Sequence, residues 1–94
     1  MKTLEESRTL IDEIDTKIIE LYEKRMQVVK EVINYKIENN IPILDANRES
    51  SMLSKNLKKI NNEEFKKYYE DVLKGYLKAS KEMQQDILNS KSKD

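Results

Sequence analysis

LEESRTLIDEIDTKIIELYEKRMQVVKEVINYK, residues 4–36, is the stretch whose reading decides the fold. Leu4, Ile11, Ile14, Ile18, Leu21, Val28 and Val32 recur in it at three- and four-residue steps, the spacing of an apolar helix face. Written as a heptad, the stripe calls for an aliphatic residue at position 25, between Leu21 and Val28. Arg25 stands there instead. Lys36 follows eleven residues later, about three full turns, so the two charges leave the same side of the helix roughly 16 Å apart. A buried cation without a counterpart is expensive, so either a carboxylate of the fold or an anionic ligand should meet it.

Outward from this stretch, three helices account for nearly the whole chain, which reads as a single all-α domain over residues 1–94. The first runs from about Thr3 to about Glu38 and stops at Asn39-Asn40, ahead of Pro42. The second starts with Asp45 as N-cap and carries Met52, Leu53, Leu57 and Ile60 on one face until Asn61-Asn62 breaks it. The third spans about Glu63 to Leu88, with Phe65, Tyr69, Val72, Leu73, Tyr76, Leu77, Met83, Ile87 and Leu88 as its apolar positions. Asn89 to Asp94 is polar and is expected to fray. A first helix of some 36 residues is about 54 Å long, more than two shorter helices can cover. Part of its stripe must therefore pack against another chain, and a helical homodimer is expected.

Composition narrows the chemistry. The 94 residues hold 18 basic and 18 acidic side chains, a net charge of zero, which argues against a non-specific nucleic-acid binder. There is no Cys, so disulfides and thiol chemistry are excluded, and no His, which removes the commonest general base and metal ligand. No apolar run suits a signal peptide or a membrane span, so a soluble cytoplasmic protein is expected.

Arg25 is not alone in interrupting an apolar face. Ser80 and Gln84 sit one turn apart in the third helix, among Tyr76, Leu77, Met83, Ile87 and Leu88. Between the first two helices lies Asp45-Ala46-Asn47-Arg48-Glu49. Each has an ordinary structural reading. Arg25 can set helix register or pair with a glutamate, and Ser80 with Gln84 can form an inter-helical hydrogen-bond pair. Asp45 can be a cap alone, Arg48 and Glu49 a solvated pair, and Lys36 a cation at a helix C-terminus. Taken together, the donors Arg25, Lys36, Arg48, Ser80 and Gln84 outnumber the acceptors. That excess points to a small anionic ligand with more than one carboxylate.

In order and spacing these residues carry a resemblance. Along almost its entire length the chain resembles the all-helical (AroQ-class, type II) chorismate mutases. Leu4 to Asp15, with Arg8 ahead of an Ile-Asp-x-Ile-Asp pattern, is similar to that family's opening. Arg25 in Leu21-Tyr22-Glu23-Lys24-Arg25 matches its internal arginine, and Lys36 in Tyr35-Lys36 its catalytic lysine. Ile41-Pro42-Ile43-Leu44-Asp45-Ala46-Asn47-Arg48-Glu49 resembles its loop and Asp-x-x-Arg-Glu motif, and Ser80 with Gln84 its Ser-x-x-x-Gln pair.

The resemblance implies an intertwined antiparallel homodimer that turns chorismate into prephenate by a Claisen rearrangement, without cofactor or metal. Lys36 and Gln84 would donate to the ether oxygen, Arg25 and Arg48 would hold carboxylates, Glu49 and the Asp45 region would receive the ring hydroxyl, and Ser80 would add a hydrogen bond. Arg8 lies 17 residues before Arg25, about 25 Å along the helix and a quarter-turn off its face, so it is expected to complete the partner subunit's site. The resemblance also admits a complex with another shikimate-pathway enzyme. Two rivals stand beside it: an isochorismate–pyruvate lyase of the same fold, and a non-catalytic helical dimer that uses Arg25, Ser80 and Gln84 as register devices.

Overall fold

The computed structural model describes residues 2–43 and 45–91; Leu44 of the loop motif and the last three residues of the polar tail lie outside the described residues. The chain folds into α1 (Leu4–Glu38), α2 (Ala46–Leu57) and α3 (Glu63–Lys91), and no strand occurs among the described residues. No helix is long and apolar enough to cross a membrane, again among the described residues.

Local chemistry sets each boundary. Thr3 caps α1, its hydroxyl accepting from the Glu6 backbone N–H at 3.0 Å, while Glu5 and Glu6 place negative charge at the positive end of the helix. At the other end Asn40 takes the left-handed conformation, φ 55°. The Ile41 N–H then reaches back to the Lys36 carbonyl at 2.8 Å and the Asn40 N–H to that of Ile37 at 3.4 Å, a Schellman closure followed by Pro42. Asp45 caps α2, its Oδ1 accepting from the Arg48 N–H at 3.0 Å. Asn62 Oδ1 accepts from the Glu64 N–H at 3.0 Å at the start of α3.

Two boundaries differ from the sequence reading. Helix α2 ends at Leu57, so Ile60 lies in the turn beyond it rather than on its face. Helix α3 continues through Asn89, Ser90 and Lys91 instead of fraying after Leu88. There the Gln85 side-chain amide donates to Asn89 Oδ1 at 2.9 Å, one turn on, and Lys91 places positive charge at the C-terminal end.

Helix α3 packs against both α1 and α2, which do not pack on each other. Leu21 and Tyr22 share a cavity with Tyr69, Leu73 and Tyr76, and Ile37 shares another with Leu88, so α1 and α3 run in the same direction side by side. The buried core among the described residues is small: Ile33, Leu73 and Ser80. Every apolar residue of α1 ahead of Arg25 is exposed, Leu4 at 67% and Ile14 at 55% among them. Phe65, Val72 and Leu88 of α3 are exposed too. The result is a rod-like chain of 58 × 26 × 15 Å, one arm of which presents a continuous apolar face. So long an exposed apolar face is uncommon on a folded monomer.

Because Ile33 is 1% exposed at the α1–α3 contact, Ile33→Ala should destabilise the fold by about 2–5 kcal/mol. Urea unfolding measures this; a loss under about 0.5 kcal/mol, the range of a surface substitution, would put the core elsewhere.

Candidate active site

A cavity of about 490 Å³ opens between the C-terminal half of α1, the start of α2 and the middle of α3. That volume suits a small ligand. Arg25, Lys36, Asp45, Arg48, Glu49, Ser80 and Gln84 all line it, so seven of the eight residues singled out in the sequence come together in one place. The eighth, Arg8, is exposed on the projecting arm of α1 and takes no part in this cavity. The remaining wall is mainly apolar, with Val28, Val29, Val32 and Ile33 from α1, Ile43 from the loop, Met52 from α2 and Leu77 from α3.

Helix periodicity explains the convergence. Arg25, Val28, Val32 and Lys36 descend one face of α1, and Leu77, Ser80 and Gln84 descend the facing stripe of α3. Arg25 is half-buried, and its Nη1 donates to Ser80 Oγ at 2.8 Å across the two helices. Ser80 is 5% exposed, and its guanidinium partner also lies over the Tyr76 ring, 5.5 Å from the ring centroid. Lys36 occupies the last turn of α1, held in place by the Schellman closure. Its Nζ donates to the Ile43 carbonyl at 3.3 Å, a long bond, so the loop folds back over the lysine. The cap at Asp45 fixes the first turn of α2, from which Arg48 and Glu49 project. Glu49 Oε2 pairs with Lys81 of α3 at 3.0 Å. Gln84 is half-buried one turn beyond Ser80, and its amide has no hydrogen-bond partner among the described residues.

The charge pattern answers the question that Arg25 posed. Ion pairs among the described residues join Lys66 to Glu63, Lys74 to Glu70 and Lys81 to Glu49; none includes Arg25, Lys36 or Arg48. Of the two acids in the cavity, Asp45 is committed to the helix cap and Glu49 to Lys81. Arg25, Lys36 and Arg48, with Lys24 beside them, therefore face a mostly apolar space with no carboxylate of their own, and a neutral amide donor stands among them. Such a site attracts a compact polyanion and can stabilise negative charge that grows on an oxygen inside it.

Sequence reasoning passed over three contributors. Lys24 lines the cavity beside Arg25 but sits off the apolar stripe and looked solvated. Lys81 looked like another surface lysine, and its link to Glu49 depends on how α2 lies on α3, which no local pattern encodes. Tyr76 was read as an apolar position only, although its place one turn before Ser80 was visible.

If Arg25 were a register or ion-pairing device of the fold, neutralising it would destabilise the protein. With no carboxylate partner present, Arg25→Met should instead change stability by no more than about 1 kcal/mol, the lost Ser80 contact being offset by relief of desolvation. Denaturant unfolding decides this, and a loss above about 3 kcal/mol, the cost of breaking a buried pair, would return Arg25 to a structural role.

The family model described as chorismate mutase type II matches residues 7–85. A bifunctional chorismate mutase/prephenate dehydratase from Buchnera aphidicola subsp. Schizaphis graminum (strain Sg) is 44% identical over 57 residues, 58% of this chain. The chain spans only about 15% of that relative's length. No solved structure matches it significantly. With the family model covering the helices, the loop and all eight singled-out residues, the chain belongs to the chorismate mutase type II family.

Proposed function

We propose that the chain catalyses the Claisen rearrangement of chorismate to prephenate, in a homodimer of intertwined antiparallel α1 helices with two shared sites. The observation that carries this reading is the single cavity in which Arg25, Lys36, Arg48, Ser80 and Gln84 converge without a carboxylate partner for the three cations. The reaction is unimolecular: one C–C bond forms as the ether C–O bond breaks. It requires no nucleophile and no proton transfer, so a chain without His or Cys lacks nothing it needs. It requires a folded substrate conformer, with donors where the ether oxygen gains negative charge.

Arg25 and Arg48 would bind the two carboxylates, Arg25 from the floor and Arg48, exposed, from the rim. Ser80 would hold Arg25 and add its hydroxyl. Glu49, with one oxygen tied to Lys81, keeps the other for the ring hydroxyl, close to Asp45. Lys36 and Gln84, from α1 and α3, would flank the ether oxygen. The 3.3 Å bond from Lys36 to the Ile43 carbonyl is weak enough for that oxygen to replace. Lys36→Ala should therefore cost at least ~3 kcal/mol of transition-state stabilisation, the scale of losing one oxyanion-type donor. Loss of the absorbance of chorismate's conjugated diene, with prephenate identified as product, tests the reaction. A pyruvate product would identify a lyase instead, and no turnover would reject the reading.

Dimerisation supplies what one chain lacks. It would cover the apolar face of α1 ahead of Arg25 and bring the partner's arm, with Arg8, over the open side of the cavity. Arg8→Ala and Lys36→Ala, each inactive alone, should then regain up to half the activity per site pair when combined in a heterodimer, since one site carries both lesions and the other neither. Failure in verified heterodimers would end the shared-site reading. Sedimentation should find no stable, folded monomer at micromolar concentration, because interface and core are continuous.

The donor at position 84 gives a pH signature. An amide donates at every pH, so turnover should stay flat across roughly pH 5 to 8. In Gln84→Glu the new side chain, with an ordinary pKa near 4.3, donates only while protonated and repels the developing charge once ionised. Its activity should fall as pH rises, and full activity at pH 8 would remove Gln84 from the ether-oxygen role.

A further inference from the structure

Arg25 is a long, flexible side chain that must present its remaining N–H groups to the cavity in one orientation. A single hydrogen bond, from Nη1 to Ser80 Oγ at 2.8 Å, pins one nitrogen but leaves the plane of the guanidinium free to turn about it. A second point of contact exists. The Tyr76 ring centroid lies 5.5 Å from the guanidinium carbon, within the range of a cation–π contact. Tyr76 and Ser80 are four residues apart on α3, hence stacked on one face, and they hold Arg25 at two adjacent turns. Tyr76 does not line the ligand cavity. It lines a neighbouring space of about 340 Å³ that has Arg25 and Arg48 as shared walls, half-buried beside Tyr69, Leu73 and Met52. The ring thus backs the arginine from the side away from the ligand. Its hydroxyl has no hydrogen-bond partner among the described residues, so the aromatic face is the part that acts.

We propose that Tyr76 is a positioning residue: with Ser80 it locks the plane of the Arg25 guanidinium so that the arginine meets a substrate carboxylate already oriented. This rests on the reading of Arg25 as a carboxylate-binding group. Pre-orientation saves the ordering cost that binding would otherwise carry, so its loss should appear first in KM. It also predicts that the ring matters and the hydroxyl does not.

Two arms test it. In steady-state kinetics on chorismate, Tyr76→Phe should stay within about twofold of the parent chain, while Tyr76→Leu, of similar bulk but no aromatic face, should lose about tenfold in kcat/KM, mainly through KM. In the Arg25→Lys background Tyr76→Leu should add little, because the two changes strike one interaction. Circular dichroism and thermal unfolding of each variant confirm a folded protein. A Tyr76→Leu chain that is less stable but keeps its KM, an equally impaired Tyr76→Phe, or additive losses with Arg25→Lys would each overturn the proposal. The second arm needs no substrate. The Arg25 Nε–H resonance, assigned by its disappearance in Arg25→Lys, should be ring-shifted in the parent and in Tyr76→Phe and move to the free-arginine position in Tyr76→Leu. An unmoved resonance would overturn the contact itself, and absence of turnover with a moved resonance would instead reject the chorismate reading.

Discussion

The candidate site depends on one polar bond where an apolar contact would be expected: Arg25 of α1 to Ser80 of α3, 2.8 Å long, with the serine buried and the arginine half-buried. It sits where a heptad stripe would place an aliphatic residue, and it joins helices that are neighbours only in space. Of the buried residues Ile33, Leu73 and Ser80, the first and last also line the candidate cavity. Core and site are therefore largely the same residues. A protein with so little other core cannot tune one without touching the other, so a cation that only burdened the fold would be costly to keep.

The remaining site groups are placed by helix ends rather than by packing. The Schellman closure at Asn40 turns the chain sharply enough to fold Ile43 back over Lys36, and the Asp45 cap fixes the direction in which Arg48 and Glu49 leave α2. Both devices are short-range and satisfy backbone groups that would otherwise be orphaned. They let a 35-residue helix and a 12-residue helix meet at a defined angle although they share no packing surface. The Lys81–Glu49 pair adds the one ionic link between α2 and α3 among the described residues. Half-exposed, it adds little stability, but it commits one oxygen of Glu49 and so limits how the other can point.

What was legible in the sequence follows from the range of the forces involved. The extent of α1, the cap at Asp45 and the start of α3 after Asn62 are local, and the structure has them within a residue or so. Arg25, Ser80 and Gln84 stood out because helical period alone marks a polar residue on an apolar face. The extra turn of α3 escapes a reading by composition because a side-chain bond, Gln85 to Asn89, supports residues whose polarity suggests fraying; α2 ends early because the backbone N–H groups of Lys59 and Ile60 close turns onto Asn56 and Leu57. Lys81 and the backing role of Tyr76 were illegible for a different reason: their partners lie on other helices, and nothing in the local pattern says which. The cover of the exposed stripe, in the proposed dimer, is the same problem between chains. Leu4 to Leu21 announces that something must pack there without naming its register.

That division bears on why long helices could carry the proposed rearrangement. A reaction that moves protons needs groups whose pKa values are shifted apart, which usually demands deep burial and a folded shell around each. A pericyclic rearrangement asks only for shape, fixed positive charge and hydrogen-bond donors, and a guanidinium, an ammonium and an amide can supply these. Their positions along a helix repeat every turn, so two parallel faces and two caps suffice to aim them. The limiting requirement is then orientational. A long cationic side chain serves best while its plane is held, and in this chain the groups placed to hold Arg25 are Ser80 and the Tyr76 ring.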